Sequence, residues 1–89
     1  MDMMNTLREF MLTPAPSGYE SEMAYKMADK LKAYCQDVKI DHVGNVIARI
    51  EGTDGRHTPR MMVFGHMDQL GFVVRRIETD GYIQVDRLG

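Results

Sequence analysis

The sequence predicts a mixed α/β fold, and three observations carry that prediction. Apolar residues recur at helical spacing through the first third of the chain. Two later stretches read as hairpins with glycine at their turns. Between them lies an uncharged apolar run, Met61-Met-Val-Phe64, followed closely by His66 and Asp68.

Each element has its own local signal. Met3, Met4, Leu7, Phe10 and Met11 fall on one helical face, which predicts a short amphipathic helix ending near Thr13-Pro14. Pro14 and Pro16 force an extended connection, because proline disfavours helical backbone at the residue before it. Ser17-Gly-Tyr-Glu20 has the form of a capping box, a hydroxyl followed three residues later by a glutamate. The helix it would open carries Met23, Met27, Leu31 and Tyr34 on one face, with Lys26, Asp29, Lys30 and Lys32 mostly off it. It should run to about Tyr34 or Cys35. Val38 and Ile40 alternate with polar residues, Gly44-Asn45 marks a turn, and Val46 to Ile50 resumes the extended pattern. Glu51 to Pro59 is a polar, glycine-bearing loop. Met61-Met-Val-Phe64, bounded by Pro59 and Gly65, reads as a buried strand. Phe72-Val-Val74 and Tyr82-Ile-Gln-Val85 flank Glu78-Thr-Asp-Gly81 as a second hairpin.

Composition narrows the class. Eighty-nine residues make one small domain, and a chain of that size buries only about two thirds of its unfolded surface. A hydrophobic share of 44% and a charged share of 27% are ordinary for a globular protein. A net charge of −2 offers no basic face to nucleic acid and no polybasic membrane anchor. No stretch approaches a transmembrane span, and Asp2, Asn5, Arg8 and Glu9 interrupt the start where a signal peptide needs an apolar core. Cys35 stands alone, so no intrachain disulfide is possible; a reducing compartment, the cytoplasm, is the expectation. Gly81 to Gly89 reads as a strand with no later partner, so the chain is expected to be the front part of a longer protein.

The candidate chemistry centres on His66 and Asp68. In extended chain, residues i and i+2 point to the same side, so the two can share a face. An imidazole beside a carboxylate at the end of a buried strand suits a metal ligand with its orienting partner. The plainer reading is a histidine bonded to backbone at a strand end and an aspartate forming a turn ahead of Gly71. One histidine and one carboxylate do not close a metal site, which takes three or four protein ligands. His42, at a strand end, is expected to face solvent, and His57 sits in the polar loop; both are read as bystanders. Gln69 is expected to be exposed rather than to bind substrate. Cys35 has no base beside it and reads as a small packed side chain, not a nucleophile. The helical methionines read as core packing. Pro14-Ala-Pro-Ser-Gly18 lacks the glycine spacing and lysine of a phosphate loop.

Taken together, Ala15-Pro-Ser-Gly-Tyr-Glu20, Asp41-His-Val-Gly-Asn-Val-Ile-Ala48, Gly65-His-Met-Asp-Gln-Leu-Gly-Phe72, Asp80-Gly-Tyr-Ile83 and Leu88-Gly89 follow one another in a recognisable order. They resemble the N-terminal quarter of the dinuclear metallo-aminopeptidases that form tetrahedral particles, a group with glutamyl and deblocking aminopeptidases and members once labelled cellulase M. The resemblance runs from about Leu7 to Gly89. It implies that residues 1–70 are the N-terminal part of a three-layer α/β metallopeptidase catalytic domain. Residues 71–89 would then be the opening strands of an inserted β-rich dimerisation domain.

By the same resemblance, His66 matches a histidine ligating one of two divalent ions, zinc or cobalt, and Asp68 matches the aspartate that orients it. The bridging aspartate, the catalytic glutamate and the other ligands have no counterpart in these residues. Gln69 stands where many relatives carry glutamate. The implied activity is hydrolysis of N-terminal residues from peptides by a two-metal activated water, in a dimer-based dodecamer. This chain alone is expected to be inactive. A rival reading is a stand-alone, non-catalytic assembly module derived from that fold. A polysaccharide hydrolase finds no closely placed acidic pair to support it.

Overall fold

A computed structural model describes residues 2–53, 55 and 60–89. The first helix, α1, spans Met3–Met11. Asp2 starts it: its carboxylate accepts from the amides of Met4 and Asn5 at 3.1 and 3.2 Å, donors that a helix N-terminus otherwise leaves unpaired. The helix closes where the Leu12 amide donates to Arg8 and the Thr13 hydroxyl donates to the Glu9 carbonyl at 2.7 Å. Pro14, which follows, cannot continue the ladder. The predicted helix is therefore present, but its apolar face is not a core face. Met3, Met4, Leu7 and Met11 are all exposed.

The connection from Thr13 to Glu20 departs from the capping-box expectation. Tyr19 N–H donates to the Pro16 carbonyl at 2.8 Å, closing a turn in which Gly18 has φ +89. That left-handed third position is the type II pattern and favours glycine. Glu20 does reach back, but to the amide of Gly18 at 2.7 Å rather than to that of Ser17. The Ser17 hydroxyl is engaged elsewhere, and the second helix, α2, begins only at Ser21 and runs to Lys32. Glu22 in its first turn and Lys30 and Lys32 in its last complement the helix dipole. Its buried residues are Met23, Ala24 and Ala28; Met27 and Leu31 are half-buried, and Tyr34 lies beyond the helix, exposed. Cys35 packs partly covered, its sulfur 3.6 Å from the Leu31 carbonyl, in keeping with a structural thiol.

Both predicted hairpins form. Strands β1 (Asp37–Ile40) and β2 (Val46–Arg49) pair antiparallel, with Ile40 opposite Val46 next to the turn. Strands β3 (Gly71–Ile77) and β4 (Ile83–Leu88) do the same, with Gly71 opposite Leu88 at the open end and a register shift between Val74 and Arg76. The anticipated buried strand does not form. Met61 to Phe64 lie in no helix or strand, and each is at least 84% exposed. Apolar content alone cannot build a strand; its amides and carbonyls need a neighbouring backbone, and among the described residues none pairs with it. The loop expected over Glu51 to Pro59 is without helix or strand where described, and its His57 and Pro59 lie outside the described residues.

The chain divides into two compact units. One joins Met1–Met23 to Met67–Gly89, and the other is Ala24–His66. No helix among the described residues is long and apolar enough to cross a membrane.

Candidate functional site

Within the first unit, two distant motifs lie against each other. Pro16 and Gln69 form a parallel bridge, and the Gln69 amide donates to the Ala15 carbonyl at 2.7 Å. The Gln69 side chain adds a second clamp, its Nε2 donating to the Phe10 carbonyl at 3.0 Å. The expectation that Gln69 is an exposed bystander is thus overturned. It is half-buried and ties the segment after Asp68 to the end of α1. A glutamate could not make that bond, since an ionised carboxylate has no proton to donate to a carbonyl.

The Ser17 hydroxyl lies beside this bridge and donates to Asp68 Oδ2 at 2.5 Å, across 51 residues of sequence. A hydroxyl that donates to an ionised carboxylate makes a charge-assisted bond, about twice as strong as a neutral one. Two glycines let the backbones close in. A Cβ on Gly71 would stand 2.6 Å from the Cβ of Pro16, and one on Gly89 would stand 2.7 Å from Ser17 Oγ. The open end of the β3–β4 hairpin is therefore seated on Pro16 and Ser17. Asp68 and Ser17 are half-buried, whereas Ala15 and Thr13 are each 1% exposed and anchor the seat.

His66 is exposed and lies outside any strand, so its ring is not turned into an apolar interior. His42 is exposed as expected, in the β1–β2 turn. That turn accounts for the polar half of the Asp41–Ala48 motif without chemistry. Asp41 accepts from the amides of Val43 and Asn45 at 3.0 and 2.8 Å, and from the Asn45 side chain at 2.9 Å. The Asn45 side-chain amide, together with these backbone donors and nearby His42, holds the Asp41 carboxyl below the ordinary aspartate range.

The donor chemistry fits one arm of a metal centre. An exposed imidazole is an ordinary ligand for a divalent transition metal, and a carboxylate fixed by a hydroxyl is an ordinary support. It does not fit a whole one, because no group of three or more His, Cys, Asp or Glu among the described residues could hold an ion. The sequence reading missed the partners of Asp68 and Gln69. It marked Ser17 by its motif and then assigned the hydroxyl to a helix cap.

Comparison with known proteins identifies the family of this chain. The M42 glutamyl aminopeptidase family model matches residues 44–89, just over half of the chain. The lysyl aminopeptidase of Pyrococcus furiosus is 38% identical over 84 residues, covering 93% of this chain and 23% of its own length. SgcX of Escherichia coli, provisionally named an aminopeptidase, is 38% identical over 84 residues, covering 94% of this chain and 22% of its own. YhfE of Bacillus subtilis, named in the same provisional way, is 31% identical over 87 residues, covering 97% and 24%. The chain thus spans less than a quarter of the length of these relatives, and over that span it belongs to the M42 glutamyl aminopeptidase family.

Proposed function

We propose that this chain is one part of a metal-dependent aminopeptidase that removes N-terminal residues from peptides. In this reading His66 is a ligand to one of two divalent ions, zinc or cobalt, and Asp68 orients its ring. Residues 1–70 would belong to the catalytic domain and 71–89 would open an inserted β-rich dimerisation domain, within a cytoplasmic dimer-based dodecamer. The observation that supports it most is the Ser17–Asp68 hydrogen bond beside the Pro16–Gln69 bridge. It brings together the two motifs that carry the family likeness and holds the carboxylate beside the histidine segment in place.

The residues present define the work this chain can do. His66 is exposed, and in this reading one of its ring nitrogens would ligate the metal. Asp68, with one oxygen held by Ser17, can keep a fixed orientation while a neighbouring group changes charge. When bound, a metal pair supplies Lewis acidity to the scissile carbonyl and lowers the pKa of water. The proton-shuttling glutamate and the other ligands would come from the remainder of the longer polypeptide. The exposed Met61–Phe64 run supports the same reading, since apolar segments left open in this way commonly meet a further partner. The chain by itself would then hold zinc weakly and hydrolyse nothing.

The test is made in the intact enzyme that carries this segment. His66→Ala is expected to abolish hydrolysis of aminoacyl p-nitroanilides and to remove one metal ion per chain, read by elemental analysis. His57→Ala should change neither. Normal turnover in His66→Ala would overturn the assignment.

A further inference from the structure

We propose that Ser17 is a positioning residue of the aminopeptidase site, acting through Asp68. The inference rests on the reading above, and it assigns to the Pro16-Ser-Gly18 turn a role beyond joining two helices.

A carboxylate can rotate about its last bond, and the orientation it offers a histidine depends on what holds its oxygens. Here Oδ2 accepts the Ser17 proton at 2.5 Å, which restrains that rotation. The hydroxyl is itself confined. Ser17 occupies the second position of a turn closed by the Tyr19 amide on the Pro16 carbonyl. The residue before it is pinned by the bridge to Gln69 and seated against Gly71, and the backbone of Gly89 lies against its Oγ. A serine needed only for helix capping would point along α2, whose first residue is four positions further on. Groups that orient a metal-ligating histidine, the role Asp68 has in this reading, typically alter affinity or activity by about 10- to 100-fold when removed. One step further out, Ser17→Ala is expected near the lower end of that range.

The experiment again uses the intact enzyme, with zinc as the probe. Zinc affinity is measured by chelator competition, and kcat and KM on an aminoacyl p-nitroanilide, for wild type, His66→Ala, Ser17→Ala, Ser17→Thr, Asp68→Ala and the Ser17→Ala/Asp68→Ala pair. Ser17→Ala should weaken zinc about tenfold and lower kcat with little change in KM. Ser17→Thr, which keeps the hydroxyl, should return both to within about threefold of wild type. In the Asp68→Ala background, Ser17→Ala should add nothing, because the group it acts through is gone. Wild-type zinc affinity and kcat in Ser17→Ala, an additive effect in the double variant, or loss of the folded state in Ser17→Ala would each overturn the proposal. Where His66→Ala abolishes activity and any of these occurs, only the role of Ser17 falls. Where His66→Ala is itself normal, the aminopeptidase site falls with it.

Discussion

Met61 to Phe64, just before His66, are four consecutive apolar residues that lie in no strand and stand 84 to 89% exposed. Asp68 and Gln69, shortly after it, are both polar, yet they are bonded to α1 and to the turn that follows it through backbone and side chains. The difference is one of backbone partners, not of hydrophobicity. An amide or carbonyl removed from water without a partner costs about 1–3 kcal/mol, which is comparable to what burying one apolar side chain returns. The second segment meets a neighbouring chain with free hydrogen-bonding groups at the right spacing. The first, among the described residues, does not.

The largest expected effect comes from breaking the pinned side. Gly71→Ala places a methyl 2.6 Å from the Pro16 ring, which is rigid and cannot fold away. The hairpin must lift from its seat, at a cost of about 1–3 kcal/mol. Urea unfolding followed by circular dichroism reads the loss of stability, and faster amide exchange at Gln69 reads the loss of the bridge. An unchanged midpoint would mean that the hairpin is not held by Pro16.

Gln69→Glu comes next. It replaces a donor to the Phe10 carbonyl with a carboxylate facing that carbonyl, at an expected cost of about 1–2 kcal/mol. The same unfolding experiment on Phe64→Ser supplies the contrast. Because Phe64 is already 89% exposed, its stability should change by no more than about 0.5 kcal/mol. A larger loss from Phe64→Ser than from Gln69→Glu would reverse the comparison between the two segments.

What was legible in the sequence follows the same division. Local signals placed α1, both hairpins and their turns, because helical spacing, a glycine turn and an alternating strand are decided by residues close in the chain. The family likeness singled out His66 and Asp68 from the same short stretch. Three readings failed where the answer depended on something distant. Met61–Phe64 looked like a strand because periodicity says nothing of whether a partner is adjacent. Ser17 fitted a capping box because the pattern of hydroxyl and glutamate is local, whereas its actual acceptor lies 51 residues away. Gln69 was misread for that reason too, its acceptor being 59 residues off on α1.

The β1–β2 turn gives the smallest effect and the cleanest sign. Its order is local: Asp41 gathers Val43 and Asn45 within five residues, and among the described residues it has no long-range bond of the kind that holds Asp68. The ionised carboxylate is the form those donors favour, so its pKa is lower in the folded hairpin than in the unfolded chain. A depressed carboxyl pKa contributes stability that is present above the ordinary aspartate range and is lost as pH falls through the folded value. Acidification below that range should therefore loosen the β1–β2 turn, seen as faster amide exchange at Val46 and shifted Asn45 side-chain resonances. The partners of the carboxylate, Val43 and Asn45, are exposed to solvent, so salt should weaken the effect. Asp41→Ala should remove the acid dependence at Val46 while leaving the Gln69 amide of the other unit as protected as before. Equal loosening at both sites would show that the local turn and the long-range seat open together, and that the two units are not independent in stability.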